Sequence, residues 1–76
     1  MPKKELVKHL VESTNLEWVS YDEDEKDLYV QFRNGGLYVY HNVPRNVFDG
    51  LLKAGSKGRY HAVKIKYEYP YEKLNK

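Results

Sequence analysis

Two runs of alternating side chains, joined by Asn34-Gly35-Gly36, constrain this chain more than any other feature. Leu28–Arg33 places Leu28, Val30 and Phe32 on one face and Tyr29, Gln31 and Arg33 on the other, the period of two that a strand requires. Leu37–His41 runs back, and the Asn-Gly step between them is a strong hairpin signal. Two registers are open. A two-residue loop pairs Phe32 with Leu37 and turns Tyr38 and Tyr40 away from Phe32. A three-residue loop pairs Phe32 with Tyr38 and Val30 with Tyr40, and puts both tyrosines on the core face. A slip of one residue reverses every side chain.

The flanking segments supply what such a hairpin packs against. Leu16–Tyr21 is rich in strand formers, and Asp22–Asp27 is a charged turn beside it. Val43-Pro44 ends the second hairpin strand and starts a helix over Pro44–Ala54, with Val47, Phe48, Leu51 and Leu52 as its apolar stripe. Gly55 fits the left-handed residue after that helix. Gly50 inside it costs up to about 1 kcal/mol against Ala, which suits a close packing contact. Lys3–Ser13 has Leu6, Val7, Leu10 and Val11 at helical spacing and reads as a short amphipathic helix. Two readings stand for the segment after Ser56. Ser56 can cap a helix over Lys57–Lys66, whereas Val63, Ile65, Tyr67 and Tyr69 alternate like a strand. Pro70 stops either one, and Glu72–Lys76 is expected to fray. The fold class is α+β: a small antiparallel sheet of three strands, or four if Val63–Tyr69 pairs, against one main helix with short flanking helices. Val19, Leu28, Val30, Phe32, Phe48, Leu51 and Leu52 form its expected core.

Seventy-six residues make one domain, spanning 1–76, with a thin core. There is no cysteine, hence no disulfide or thiolate metal site. Eight tyrosines, two phenylalanines and one tryptophan compensate, because each ring buries about 150–250 Å². Met1–Leu10 lacks the apolar run and cleavage site of a signal peptide. No apolar stretch approaches the ~20 residues that span a bilayer. A cytoplasmic location without membrane attachment is expected. Charge is uneven: residues 1–43 hold five basic and eight acidic side chains, whereas 44–76 hold eight basic and three acidic ones. Such asymmetry favours an acidic or polyanionic partner.

Over about Ser13–Tyr71 the chain resembles the KTSC domain, named for its occurrence at the C-terminus of some lysyl-tRNA synthetases. The resemblance rests on Val19–Asp22 (VSYD), Leu28-x-Val30-x-Phe32-x-x-Gly35, Tyr38-x-Tyr40 and Val43-Pro44 with Phe48 and Leu51-Leu52. Ser56–Tyr60 (SKGRY) and Ile65 follow. It implies the three-residue hairpin, since Val30, Phe32, Tyr38 and Tyr40 recur together as one core-like set. Members usually continue after SKGRY with Phe or Leu and then Asn; here the chain reads His61-Ala62-Val63-Lys64. The family also occurs as small proteins in bacteria and phages. Its link to synthetases implies RNA binding.

No catalytic residue is expected. Cys and a Gly-x-Ser-x-Gly elbow are absent, and the paired carboxylates of the Asp22–Asp27 turn are exposed. That turn lacks the glycine and bidentate Glu of a calcium loop, and a zinc site from His9, His41 and His61 would need three convergent ligands. Neither metal nor cofactor is expected. The anion-binding candidates are Ser56, Lys57, Gly58 and Arg59, where a helix start would aim free N–H groups outward beside two cations, together with Lys64 and Lys66. Plain capping by Ser56 is the simpler reading of the same residues. Tyr38, Tyr40, Tyr67 and Tyr71 are the aromatic contact candidates, because basic groups interleaved with rings suit single-stranded nucleic acid. The chain is therefore expected to be a non-catalytic module that binds RNA or another nucleic acid. The alternative is a protein-interaction module, a small regulator or inhibitor docking through an aromatic patch or edge strand.

Overall fold

The computed structural model describes residues 6–75. Its frame is a five-stranded antiparallel sheet whose spatial order follows the chain. The strands are β1 (His9–Leu10), β2 (Leu16–Asp22), β3 (Asp27–Phe32), β4 (Leu37–Tyr40) and β5 (Tyr71–Lys73). Helix α1 (Arg45–Lys53), helix α2 (Lys57–Tyr60) and a π-helical segment (His61–Ile65) stand between β4 and β5. The expected α+β class is what forms, with more strands than the three or four read from periodicity. No described helix is long and apolar enough to cross a membrane.

The central hairpin forms in neither expected register: its loop has three residues but begins one residue earlier. Val30 faces Tyr38 and Leu28 faces Tyr40. The Phe32 N–H donates to the Gly36 carbonyl at 2.8 Å, so Arg33-Asn34-Gly35 is the loop. Gly35 takes φ +104°, the left-handed residue that three-residue hairpins need. The shift from the expected Val30–Tyr40 pairing is two residues, so the faces do not change. Tyr38 and Tyr40 share the side of Val30 and Phe32, as the resemblance implied. A bulge between Leu16 and Trp18 turns Leu16 into the core and Trp18 onto the opposite face.

Helix α1 buries Phe48 and Leu51 as its stripe predicts. Phe48 stacks on Tyr21 with ring centroids 5.0 Å apart and planes at 12°, and meets the edge of His9. Aromatic pairs of this kind add about 0.5–1.5 kcal/mol beyond area burial. Val19, Leu28, Val30, Phe48 and Leu51 are buried, and Phe32 and Leu52 pack half-buried against them. The core also takes in Val11, Leu16, Tyr40, Val43 and Ile65. At Gly50 a Cβ would come within 2.3 Å of the Tyr60 hydroxyl, so the glycine marks close contact between α1 and α2.

Four expectations are corrected. The described part of Lys3–Ser13 is not helical: His9 pairs with Val19, and the Ser20 hydroxyl donates to the Val7 carbonyl at 2.7 Å. The part before Leu6 lies outside the described residues. So short a helix pays a nucleation cost, and the open edge of β2 offers backbone partners instead. Val63–Tyr69 is not a strand; the π-helical segment and a turn occupy it, with Ile65 buried and Val63 and Tyr67 exposed. Gly55 is not left-handed. Helix α1 ends at Ala54 in an extended conformation, its N–H bonded to the Leu51 carbonyl. Finally, residues 72–75 are tied down rather than frayed, and Lys76 lies outside the described residues. Tyr71–Lys73 pairs with β4, and the Leu74 N–H donates to the Leu37 carbonyl at 2.7 Å.

Candidate functional site

Strand alternation and the late return of β5 build an aromatic floor. Tyr38 and Tyr40 lie two apart on β4 and project from one face. Tyr71 pairs with Tyr40 and Lys73 with Tyr38, which adds a ring and an ammonium to the same face. Tyr71 stands 5.8 Å from Tyr38 and 5.7 Å from Tyr40, centroid to centroid. Helix α1 covers the β2 side of this face through Phe48 and Tyr21. The π-helical segment brings His61 edge-on to Phe32 and Tyr40 at 5.2 and 5.3 Å. Nothing described covers the β4–β5 end, where Tyr71 is 56% exposed, and a cleft of about 550 Å³ opens there.

The far wall of the cleft is helical. The Lys66 N–H reaches back to the His61 carbonyl at 2.8 Å, a π-type bond that widens the turn where it meets the sheet. His61 is buried, and its Nε2 lies 2.7 Å from the Tyr40 hydroxyl. Burial, with the Lys66 charge second, lowers the His61 imidazole to about 4. Burial, with Tyr38 and Tyr71 next, pushes the Tyr40 hydroxyl up to about 12. Both groups are therefore neutral at pH 7 and joined by one hydrogen bond. Lys66 and Lys73 stand at the rim, with the Lys66 ammonium 5.3 Å from the Tyr67 ring centroid. Among the described residues no carboxylate lines the cleft.

The residues singled out in the sequence divide among three surfaces. Tyr38, Tyr40, Tyr67, Tyr71, Gly58 and Lys66 line the aromatic cleft. Ser56, Lys57, Gly58 and Arg59 line an adjoining hollow with Glu12 and Asn15. Lys64 faces another, beside Tyr60 and Glu68. In the SKGR turn the Ser56 hydroxyl accepts from the Arg59 N–H at 3.4 Å, and the Lys57 ammonium donates to the Ala54 carbonyl at 3.0 Å. Two other cations are occupied: Arg45 pairs with Glu23 and Asp49, and the Arg33 Nε donates to the Ser13 carbonyl at 2.7 Å. Sequence reasoning missed His61, Phe32, Asn15, Asn34 and Lys73 as cleft residues. A helical reading that put His61 and Ile65 four apart on one inward face would have found the first.

A second cluster fastens β5 to the sheet. The His41 Nδ1 lies 2.9 Å from Asp27 and its Nε2 3.3 Å from Glu72. The hydrogen bond to Asp27 is the main cause that raises this imidazole above its ordinary range. The His41 N–H donates to the Pro70 carbonyl at 2.8 Å, so one residue holds both ends of the entry into β5.

An antiparallel meander with a helix pair inserted before its last strand, and an aromatic cleft between them, defines a small α+β domain. The chain belongs to the KTSC domain family, which matches residues 12–69. It is similar to a KTSC domain protein of Yersinia pestis whose crystal structure superposes with a TM-score of 0.90. The two are 31% identical over 93% of this chain and 100% of that one. It is 46% identical over 50 residues to a protein of Tsukamurella paurometabola, covering 66% of this chain and 75% of that protein. A lysine–tRNA ligase of Nostoc punctiforme is 31% identical over 64 residues, which are 84% of this chain and 11% of the ligase.

Proposed function

We propose that this KTSC domain is a non-catalytic module that binds single-stranded RNA in the aromatic cleft. The observation that carries the reading is the pair Tyr38 and Tyr71, with centroids 5.8 Å apart over the buried Tyr40 ring at the uncovered end of the sheet, and Lys66 and Lys73 at its rim. Rings take unpaired bases by stacking, worth about 1–3 kcal/mol per base, and ammonium groups take the phosphates between them. Arg59 and Lys57, on the adjoining hollow that shares Asn15 and Gly58 with the cleft, extend the path for a backbone. The lysine–tRNA ligase that carries a similar segment supports an RNA setting by analogy. At about 4 and about 12, His61 and Tyr40 lie far from the near-neutral values that proton transfer at pH 7 favours, which suits recognition better.

A titration of labelled single-stranded RNA, tRNA and duplex DNA, followed by fluorescence anisotropy at low and moderate salt, tests the reading. Micromolar binding of single strands that weakens with salt and is lost in Tyr71→Ala/Lys66→Glu is the expected result. No binding at low salt contradicts it. A protein partner is the second reading, favoured by Leu10 and Leu74, which lie exposed on the other face of the sheet.

A further inference from the structure

We infer that the cleft selects guanine and uracil, which carry a carbonyl at purine C6 or pyrimidine C4, over adenine and cytosine, which carry an amino group there, with Asn34 and Asn15 as the readers. The inference rests on the RNA reading above and adds to it the edge chemistry of the cleft. Stacking on tyrosine tolerates every base, because every base has a π-face. Selection must therefore come from the polar groups around the rings, and these are biased toward donors.

The bias originates in the hairpin loop. The Asn34 Oδ1 accepts from the Gly36 N–H at 3.0 Å. A backbone N–H can only donate, so the carboxamide oxygen is held inward and the Nδ2 donor turns out. The Gly35 carbonyl is taken by the Asn75 Nδ2 at 2.6 Å. The Gly36 carbonyl is taken twice, by the Phe32 N–H at 2.8 Å and the Gln31 Nε2 at 3.3 Å. At the opposite wall the Asn15 Oδ1 accepts from the Thr14 hydroxyl at 2.6 Å, which again leaves Nδ2 for a ligand. Lys66 and Lys73 are donors only, the Tyr40 hydroxyl is committed to His61, the Tyr38, Tyr67 and Tyr71 hydroxyls can donate or accept, and no described carboxylate faces the space.

A base carbonyl entering this cleft can be met by the Asn34 and Asn15 amides, the two ammonium groups and the three free tyrosine hydroxyls, whereas a base amino group is met by the hydroxyls alone. Guanine offers O6 and N7, and uracil offers its O4, all acceptors. Adenine and cytosine place an amino group at the same edge position, and at Asn34 or Asn15 that donor would face another donor with both left unpaired. The cavity, about 550 Å³, accommodates either a purine or a pyrimidine.

Binding of short oligonucleotides tests the inference: U6, A6, C6 and a C5 strand carrying one central G, each measured by anisotropy against the full chain. The expected result is about tenfold tighter binding of the U and G strands than of A6 and C6, the discrimination that a well-placed pair of base contacts supplies. Asn34→Asp keeps an oxygen for the Gly36 N–H but replaces the outward donor with an acceptor. It should erase or invert the U6-to-A6 ratio, and the ratio cancels any general repulsion of phosphates. Equal affinity for all four strands in the wild type overturns the inference while leaving RNA binding intact. An unchanged ratio in both Asn34→Asp and Asn15→Asp overturns the assignment to these asparagines. Binding by no strand, together with no NMR shift of cleft amides on adding UMP or GMP, overturns both the inference and the RNA reading.

Discussion

The Tyr40 hydroxyl and the His61 Nε2 lie 2.7 Å apart at the floor of the cleft, and both side chains are buried. That contact joins β4 to the π-helical segment and sets the angle between the two walls. Tyr40→Phe preserves the ring packing but strands the imidazole nitrogen. A buried polar group without its partner costs about 1–3 kcal/mol. Urea denaturation at pH 7.5 should show that loss with an unchanged m-value; a midpoint equal to the wild type would contradict it.

Acid should weaken the fold through His61. Its folded-state value of about 4 lies below the ordinary 6.5, so the neutral ring is the form the fold accepts. The stability it contributes is complete above pH 6.5 and is lost as pH falls from there toward 4. The shift corresponds to about 3 kcal/mol across that window. His61→Gln should flatten this part of the stability profile relative to the wild type. An NMR titration that found the His61 ring titrating near 6.5 would remove the basis for the claim.

His41 has the opposite sign. Its carboxylate partners Asp27 and Glu72 raise the folded value above 6.5. Its contribution is therefore complete below pH 6.5 and fades as pH rises through the folded value. Because Glu72 sits on β5, the effect should show first as lower amide protection factors in Tyr71–Lys73 above neutral pH. His41→Gln should lower the protection factors of these amides and make them independent of pH, and a β5 with equal protection factors at pH 6 and pH 9 in the wild type would contradict the clamp.

Gly50→Ala should destabilise the protein although alanine favours helices. The new Cβ would meet the Tyr60 hydroxyl at 2.3 Å and its ring carbon at 2.9 Å. Tyr60 must swing away and give up its 3.1 Å bond to the Val47 carbonyl. The propensity gain of up to about 1 kcal/mol is smaller than the packing loss, leaving a net cost of about 1–2 kcal/mol. Thermal unfolding of the single variant tests this, and a raised Tm would refute the contact.

Periodicity decided which parts of the structure could be read in advance. The hairpin and α1 each carry enough residues for a phase: Leu28, Val30 and Phe32 define a face alone, as do Phe48 and Leu51. Strands of two and three residues carry none. His9–Leu10 and Tyr71–Lys73 exist because β2 and β4 offer them backbone partners, a cause that is not local in sequence. Val63, Ile65, Tyr67 and Tyr69 mimic a strand, yet only Ile65 is fully buried, and the hydrogen bonds run along a helix. The cleft was half legible for the same reason. Its tyrosines stand out by type, whereas His61 is significant only because a helix delivers it to Tyr40.

The most direct test of the RNA reading is a ¹H–¹⁵N map of the protein titrated with a short single-stranded RNA. Shifts concentrated at Gly36, Tyr38, His61, Lys66, Tyr71 and Lys73, saturating together, are the predicted result. Shifts confined to the other sheet face, around Trp18 and Val39, or no shifts at low salt, would contradict the account.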